Sequence, residues 1–109
     1  MKNPLIPLLL AAALLPVAAQ ADVAPEKLYE KHCAKCHGDK GRADTWRGRL
    51  TFAQDFSKDS FQQNRTDDEI LDKINRGPRI MPSYADVLSR NERLGLVKLI
   101  RGFAKEPGR

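Results

Sequence analysis

Two cysteines and a histidine lie close together in the order Cys33-Ala34-Lys35-Cys36-His37. On a helix, Cys33, Cys36 and His37 stand at positions i, i+3 and i+4, so their side chains leave the same face. Two thiols at this spacing can each add to a vinyl group of haem, and the imidazole that follows can bind the iron. The spacing therefore predicts one covalently attached haem c, held by Cys33 and Cys36, with His37 as the proximal iron ligand.

The same three residues are compatible with a redox dithiol, half of a zinc site or a pair of buried thiols. A thioredoxin-like dithiol needs alternating strands and helices around it, and the sequence lacks that pattern. A zinc site needs a second pair of ligands, but the chain has no further cysteine and only one further histidine, His32. Haem attachment is therefore the better interpretation, and a dithiol protein without haem stays open as an alternative.

A second iron ligand is expected from the rest of the chain. Of the two methionines one is the initiator Met1, and the other, Met81, lies in a loop stiffened by Pro78 and Pro82. A thioether can bind haem iron, so we predict Met81 as the distal ligand, although a lone methionine often only fills a gap in the core. His32 adjoins the haem motif, so we expect it on the proximal side or in solvent.

The N-terminal residues indicate export. Lys2 precedes an apolar run that ends at Ala19, and residues 19–21 read Ala-Gln-Ala, the A-x-A pattern of a signal cleavage site. The run is shorter than the about 20 residues that a transmembrane helix needs, which disfavours an uncleaved anchor. We therefore predict a cleaved secretory signal peptide over residues 1–21 and a single domain over residues 22–109, located in the periplasm with no membrane span.

The charge balance favours a protein partner. Of the 19 Lys and Arg, one is lost with the signal, and the 14 Asp and Glu all remain, which leaves a net charge of +4. A mildly basic protein suits redox partners with acidic docking surfaces. Because the basic residues are scattered and the protein is exported, we predict no nucleic-acid binding. Candidates to steer docking around an exposed haem edge are Lys31, Lys35, Lys40 and Arg79.

The apolar pattern predicts short helices and no sheet, which is an all-α fold. Pro25 opens a first helix that continues to about Cys36. Residues 66–69, Thr-Asp-Asp-Glu, form a capping box that opens a second helix, and Gly77 stops it. A second capping box at residues 89–92, Ser-Arg-Asn-Glu, opens the last helix.

Residues 38–65 show no sustained period and predict a loop that wraps one edge of the haem. From this loop, Phe52 and Phe56 are candidates to line the haem. The indole N–H of Trp46 is a candidate partner of a haem propionate, with Arg47 and Arg49 as neighbouring charges. Three further aromatic residues are expected to pack in the core: Tyr29, Phe61 and Phe103.

Taken together, these segments resemble the small bacterial class I cytochromes c. Residues 28–38 are similar to the family's haem-attachment helix, residues 75–84 to its methionine loop, and residues 94–103 to its closing helix. The resemblance implies three or more short helices around one covalently bound haem whose edge reaches the surface. It also implies that the first and last helices cross.

The sequence departs from that family at three points. Family members often carry a small glycine near Pro25 and an aromatic residue near Leu99, so the crossing of the first and last helices is expected to be looser or repacked. They often carry a proline after the haem motif, whose carbonyl accepts the imidazole N–H. No proline lies between His37 and Gly77, and residues 51–56, proline-rich in relatives, contain none. The partner of the His37 ring is therefore unassigned from sequence.

With His37 and Met81 both on the iron, no coordination position remains for a substrate. The expected function is therefore transfer of single electrons between a donor and an acceptor protein, which makes the chain an electron carrier and not an enzyme. One alternative is a dedicated haem subunit of a periplasmic oxidoreductase complex. Another, if Met81 does not bind, is a ligand-binding or peroxidase-like haem protein. We expect a monomer or a subunit of a redox complex.

Overall fold

The computed structural model describes residues 3–5 and 21–105, and these contain six α-helices and no β-strand. The helices in chain order are α1 (Pro25–His32), α2 (Ala34–His37), α3 (Trp46–Thr51), α4 (Asp59–Asn64), α5 (Asp67–Arg76) and α6 (Arg90–Gly102), followed by a 3₁₀ turn, Phe103–Lys105. The predicted all-α fold is confirmed. The expected signal peptide lies almost entirely outside the described residues and stays a prediction.

The first predicted helix is in fact two. α1 ends at His32, and Cys33 has φ −116°, well away from the helical value of about −63°. α2 then forms a separate turn, in which the amides of both Cys36 and His37 donate to the Cys33 carbonyl at 3.2 and 2.9 Å. The expected single helix to about Cys36 was therefore wrong, but the three residues of the motif still share one helical turn.

The expected loop between His37 and Thr66 was also wrong in part, because it contains α3 and α4. The Thr45 hydroxyl accepts from the amide of Gly48 and so caps the start of α3, which ends at Phe52 with φ 54°. α4 is held by the side chain of Gln62, whose Nε2 donates to the carbonyl of Ile100 at 3.1 Å. Helices of six residues are too short to show a period in the sequence.

Both predicted capping boxes are confirmed. The Thr66 hydroxyl accepts from the Glu69 amide, and the Glu69 carboxylate accepts in return from the Thr66 amide. Ser89 and Glu92 make the same pair of bonds at the start of α6. Two of the four free amides at each helix start are thereby satisfied without any tertiary contact, which explains why the sequence alone located both starts.

The helices pack so that α6 lies against both α1 and α5. The close approach of α6 to α1 comes from Gly95, where an added Cβ would lie 2.9 Å from Cγ of Pro25. The small residue that relatives often carry near Pro25 is therefore replaced by a glycine on the opposite helix, and the contact between the two helices is repacked, not loose. The buried residues of the two helices are Leu28 and Tyr29 on α1 and Leu96, Val97 and Ile100 on α6.

Candidate functional site

The side chains predicted to do chemistry line one cavity. It has a volume of about 310 Å³, within the usual range for ligand pockets, and its wall includes Cys33, Cys36, His37 and Met81. The motif turn and the methionine loop, far apart in sequence, thus face the same space. Most of the remaining wall is apolar and comes from α4 and the residues before it, from α5, and from α6 and the residues before it: Phe56, Phe61, Ile70, Ile74, Leu88, Leu96 and Ile100.

The ring of His37 is fixed on two sides. Its Nδ1 lies 3.0 Å from the carbonyl oxygen of Gln54, so Nδ1–H donates to that carbonyl and Nε2 is left with a lone pair. The ring of Phe56 stacks on the imidazole with centroids 4.3 Å apart and planes 18° from parallel. Burial lowers the pKa of His37, and the Gln54 carbonyl opposes this shift. The imidazole is therefore held neutral, as an iron ligand must be.

Gln54 thus supplies the contact that the sequence left unassigned. Any residue can supply a backbone carbonyl, so no residue type identifies the one that binds the His37 ring. Once the usual proline is absent, the sequence does not show which residue takes its place. The only available signal was the location of Gln54 within residues 51–56, the segment that is proline-rich in relatives. Contacts of this kind orient a ligating imidazole and raise its basicity.

The two cysteines are partly buried free thiols. Burial, with a smaller contribution from the neighbouring Cys36, raises the pKa of the Cys33 thiol to about 11. Cys33 is therefore protonated at neutral pH, unlike the low-pKa thiolate of a catalytic dithiol. The environment of the motif argues against the redox dithiol alternative.

Met81 lies on a loop that folds back on the end of α5. Gly77 ends that helix with φ 63°, and an added Cβ there would lie 2.3 Å from the carbonyl carbon of Pro82. The amide of Tyr84 donates to the Ile74 carbonyl at 3.0 Å, and the Ser83 hydroxyl donates to a second carbonyl of α5 at 2.5 Å. The loop is thus positioned by its backbone, and the Met81 side chain is partly buried at the cavity.

His32 occupies a position that the sequence did not indicate. It lines the cavity, and its ring meets the edge of Tyr84, a residue of the methionine loop, with centroids 5.2 Å apart. The Tyr84 hydroxyl donates to the backbone carbonyl of His32 at 3.2 Å. His32 therefore contacts the segment that carries Met81, instead of lying in solvent.

The other candidates divide into those at the cavity and those away from it. Phe52 and Phe56 line it as expected, whereas Trp46 lies outside it and is 68% exposed. Of the four basic residues proposed around a haem edge, only Arg79 lines the cavity. The expected packing residues Tyr29 and Phe103 are buried, with ring centroids 5.0 Å apart, and Phe61 is partly buried.

Three charged wall residues were missed. Arg65, just before α5, and Glu69 and Lys73 on that helix stand four residues apart, and all three line the cavity. Arg65 and Glu69 approach to 3.7 Å as an exposed ion pair. Their spacing was visible in the sequence and would have placed them on one helical face, but nothing showed which face the cavity lies against.

The donor set fits haem c. Two thiols on one turn, a neutral imidazole and a thioether face an apolar cavity with basic residues at its wall, which is the chemistry that a thioether-linked iron porphyrin needs. An all-α fold whose first and last helices pack together beside such a cavity is that of a small class I c-type cytochrome.

Comparisons with known proteins support the assignment to this class. Residues 20–100 match the model of the family described as "Cytochrome C oxidase, cbb3-type, subunit III", and the chain belongs to this family. Among solved structures it is similar to "KustC0563 c-type cytochrome", with 34% identity and a TM-score of 0.71, covering 76% of this chain and 100% of that one. A tyrosine-to-phenylalanine mutant of that protein gives 33% identity, 74% and 99% coverage and a TM-score of 0.68. No curated protein matches.

The chain is therefore a small monohaem class I cytochrome c whose cofactor is one covalently bound haem c. Its family supports the role of a haem protein that carries electrons and has redox partners. Within the described residues, no helix has the length and apolar character required to cross a membrane.

Proposed function

We propose that this cytochrome transfers single electrons between a donor and an acceptor protein outside the cytoplasmic membrane. Cys33 and Cys36 hold the haem as thioethers, His37 is the proximal iron ligand and Met81 is the distal one. The haem supplies the Fe(III)/Fe(II) couple. The observation that carries this proposal is that all four side chains line the same cavity.

The chain's own residues prepare the two ligands differently. The Gln54 carbonyl holds Nδ1–H of His37, so the imidazole presents Nε2 in one fixed orientation. The largely apolar wall lowers the polarity around the ring and favours the less charged, reduced iron. A methionine ligand raises the reduction potential further than a second histidine would. With both positions taken by side chains, the cytochrome has no substrate site on the iron and needs no acid or base.

The test is the visible spectrum of the protein matured in a host that attaches haem c. We expect c-type bands on reduction and, in the oxidised protein, the weak far-red band of methionine sulfur on ferric haem. Met81→Ala should lose the far-red band and keep the c-type bands, while the neighbouring Ile80→Ala should keep both. A far-red band that survives Met81→Ala would contradict the ligand assignment.

His32 makes a second variant necessary, because it also lines the cavity. If Met81→Ala becomes low-spin without the sulfur band, a nitrogen ligand has replaced methionine. If that ligand is His32, Met81→Ala/His32→Ala should turn high-spin, and if it is Lys73, which also lines the cavity, the double variant should stay low-spin. If the oxidised wild-type protein is itself high-spin, the distal position is open and a ligand-binding or peroxidase-like function takes the place of electron transfer.

A second candidate function is favoured by the family match. The family is described as a subunit of a cytochrome c oxidase, so this chain is a candidate haem subunit that carries electrons within one complex. Gel filtration of a native extract with detection of covalent haem separates the two. A free carrier, without residues 1–21, elutes below the 12.2 kDa of the full chain, and a subunit elutes with a much larger assembly.

The periplasmic location rests on the predicted signal. N-terminal sequencing of the mature haem protein should begin at Asp22, after cleavage at the Ala-Gln-Ala site. A mature protein that still begins at the N-terminal methionine would contradict both cleavage and the boundary of the haem domain at residue 22.

A further inference from the structure

The outer face of α3 carries apolar side chains that the fold does not explain. Trp46 and Leu50 stand at i and i+4, which places them on one face of the helix, and they are 68% and 70% exposed. Phe52 and Ile80 are exposed to a similar degree, but they line the haem cavity, so the cofactor accounts for them. Neither Trp46 nor Leu50 lines it. An exposed apolar cluster of this kind on a small protein marks an interaction surface.

Two arginines border this pair. The guanidinium of Arg47 lies 5.2 Å from the centre of the Trp46 ring, and Arg49 is exposed on the same helix. Neither forms an ion pair with any residue in the part of the chain that the structure describes. We call Trp46, Arg47, Arg49 and Leu50 the α3 patch. Its unpaired positive charge around an apolar centre is complementary to carboxylates around an apolar pocket.

The α3 patch is fixed to the haem-attachment turn. Gly48 faces the motif so closely that an added Cβ would lie 2.1 Å from the carbonyl oxygen of Cys36. The Thr45 hydroxyl, which caps α3, lies 2.8 and 3.0 Å from the carbonyl oxygens of Lys35 and Cys36 and donates to them. A protein bound at the patch is therefore separated from Cys36 by the thickness of one short helix, with no mobile segment between them.

We propose that the α3 patch is the docking surface for an acidic redox partner protein, which takes the Trp46 side chain into an apolar pocket and surrounds Arg47 and Arg49 with carboxylates. This inference rests on the proposed electron-carrier function. Tryptophan and arginine are the residues most often found at the energetic centre of protein interfaces. A membrane surface is the poorer occupant, because helices that bind lipid present a long apolar face, and this one presents two side chains.

Two double variants test the patch, Trp46→Ala/Leu50→Ser for its apolar centre and Arg47→Glu/Arg49→Glu for its charge. A control for both is Val87→Ser/Arg90→Glu, which removes a 62% exposed apolar residue and reverses the charge of one exposed arginine elsewhere on the surface. The membrane and soluble periplasmic fractions of the source organism serve as electron donors and acceptors. The measurement is the observed rate constant of electron exchange at a fixed amount of each fraction, by stopped-flow absorbance.

We expect both patch variants to lose at least about tenfold in that rate constant and the control to stay within about twofold. The rate of the wild type should fall with ionic strength, and that of Arg47→Glu/Arg49→Glu should depend on it much less or in the opposite sense. In Trp46→Ala/Leu50→Ser the haem spectrum and the reduction potential should be unchanged. Its reaction with ferricyanide should also be unchanged, since ferricyanide has no apolar pocket that must bind the Trp46 side chain.

Equal rate constants for the patch variants and the wild type would overturn the docking surface and leave the electron-carrier function in place. Co-sedimentation with phosphatidylglycerol vesicles that is lost in Trp46→Ala/Leu50→Ser, together with unchanged rates in the soluble fraction, would assign the patch to lipid and also overturn the proposal. A wild-type protein that exchanges electrons with ferricyanide but with neither fraction would instead contradict the proposed function.

Discussion

The two sides of the haem cavity hold their candidate iron ligands in different ways. On the proximal side His37 lies on a helical turn, its Nδ1 bound to the Gln54 carbonyl and its face stacked on Phe56. On the distal side Met81 lies on a loop without helix, and the hydrogen bonds that shape the loop run from its backbone and Ser83 to the end of α5.

The difference follows from the chemistry of the two ligands. An imidazole has a second ring nitrogen, so a partner can fix its orientation through the side chain itself. A thioether has no second polar atom and is positioned only by its backbone and by packing. Support for His37 is therefore spread over several contacts, whereas support for Met81 is concentrated at the turn that begins with Gly77. Single substitutions should expose this contrast.

The largest effect is expected at Gly77. Alanine there would hold a left-handed φ of 63° and place Cβ 2.3 Å from the Pro82 carbonyl carbon, so Gly77→Ala should cost about 2 to 5 kcal/mol of unfolding free energy. Because the turn sets the methionine loop, the far-red sulfur band should weaken in the same variant. Urea unfolding and the oxidised spectrum of the haem protein measure both.

The matched control is Gly102→Ala, at the end of α6, where an added Cβ meets nothing within 4 Å. This variant should leave the spectrum unchanged and stabilise the protein by up to about 1 kcal/mol through helix propensity. If Gly77→Ala kept the full sulfur band, the distal ligand would not depend on the turn, and the contrast between the two sides would be wrong.

On the proximal side the comparable close contact is between Gly48 and the motif. Gly48→Ala would bring Cβ to 2.1 Å from the Cys36 carbonyl oxygen, so α3 must move away from α2. We expect a loss of about 1 to 3 kcal/mol in unfolding free energy, typical of overpacking. Since His37 keeps the Gln54 carbonyl and Phe56, the sulfur band and the reduction potential should change little. A sulfur band that weakens as much as in Gly77→Ala would show that proximal support is not distributed.

The parts of the fold that sequence predicted are those with local signals. Both capping boxes and the Gly77 stop lie within a few residues of the helix ends they define, so α5 and α6 were located correctly. The break at Cys33 had no such signal, because only the departure of its φ from the helical value divides α1 from α2. α3 and α4 escaped notice because six residues are too few to show a period. α3 has a local cap at Thr45 but Gly48 three residues later, so no capping box is visible, and α4 has no side-chain cap.

The residues of the candidate site also separate into those that local sequence predicts and those that it does not. The spacing of Cys33, Cys36 and His37 and the choice of Met81 needed only residue types, and the structure brings all four to one cavity. The Gln54 carbonyl could not be predicted, because any residue can supply a backbone carbonyl. The location of Trp46 outside the cavity depends on how α3 packs on α2, which no pattern in its own segment records.

The hydroxyl groups of two tyrosines allow the proximal and distal sides to be compared by substitutions with smaller expected effects on stability. Tyr29 is buried and donates to the Gly38 carbonyl at 2.7 Å on the proximal side, and burial raises its pKa. Tyr84 donates to the His32 carbonyl at 3.2 Å beside the methionine loop. Tyr29→Phe leaves a carbonyl without its partner and should cost about 1 to 2 kcal/mol, against about 0.5 to 1 kcal/mol for Tyr84→Phe.

The effects of Tyr29→Phe and Tyr84→Phe on the far-red sulfur band should have the opposite order to their effects on stability. Tyr84→Phe loosens the link between His32 and the methionine loop, so it should weaken the sulfur band, which Tyr29→Phe should leave intact. The comparison fails if Tyr29→Phe disturbs the band more than Tyr84→Phe does.

The smallest effects are expected from the two capping glutamates. Hydrogen bonds from Thr66, together with the charges of Arg65 and Lys73, hold the pKa of Glu69 below its usual range. The amides of Ser89 and Val23 do the same for Glu92, partly opposed by the charge of Asp22.

The pKa of each carboxyl group is lower in the folded protein than in the unfolded chain, where it is about 4.3. Each carboxylate therefore stabilises the fold at pH values above that unfolded-state pKa. The contribution is lost as the pH falls through the folded-state pKa. Glu69→Gln and Glu92→Gln should therefore each flatten the fall of Tm between about pH 6 and about pH 3. Glu69 lines the cavity and lies on the helix that ends at the methionine loop, whereas Glu92 does not line the cavity. Acid loss of the sulfur band should therefore shift in Glu69→Gln and stay unchanged in Glu92→Gln. Equal shifts in both variants would mean that the band follows global unfolding, and the distal loop would then have no separate weakness.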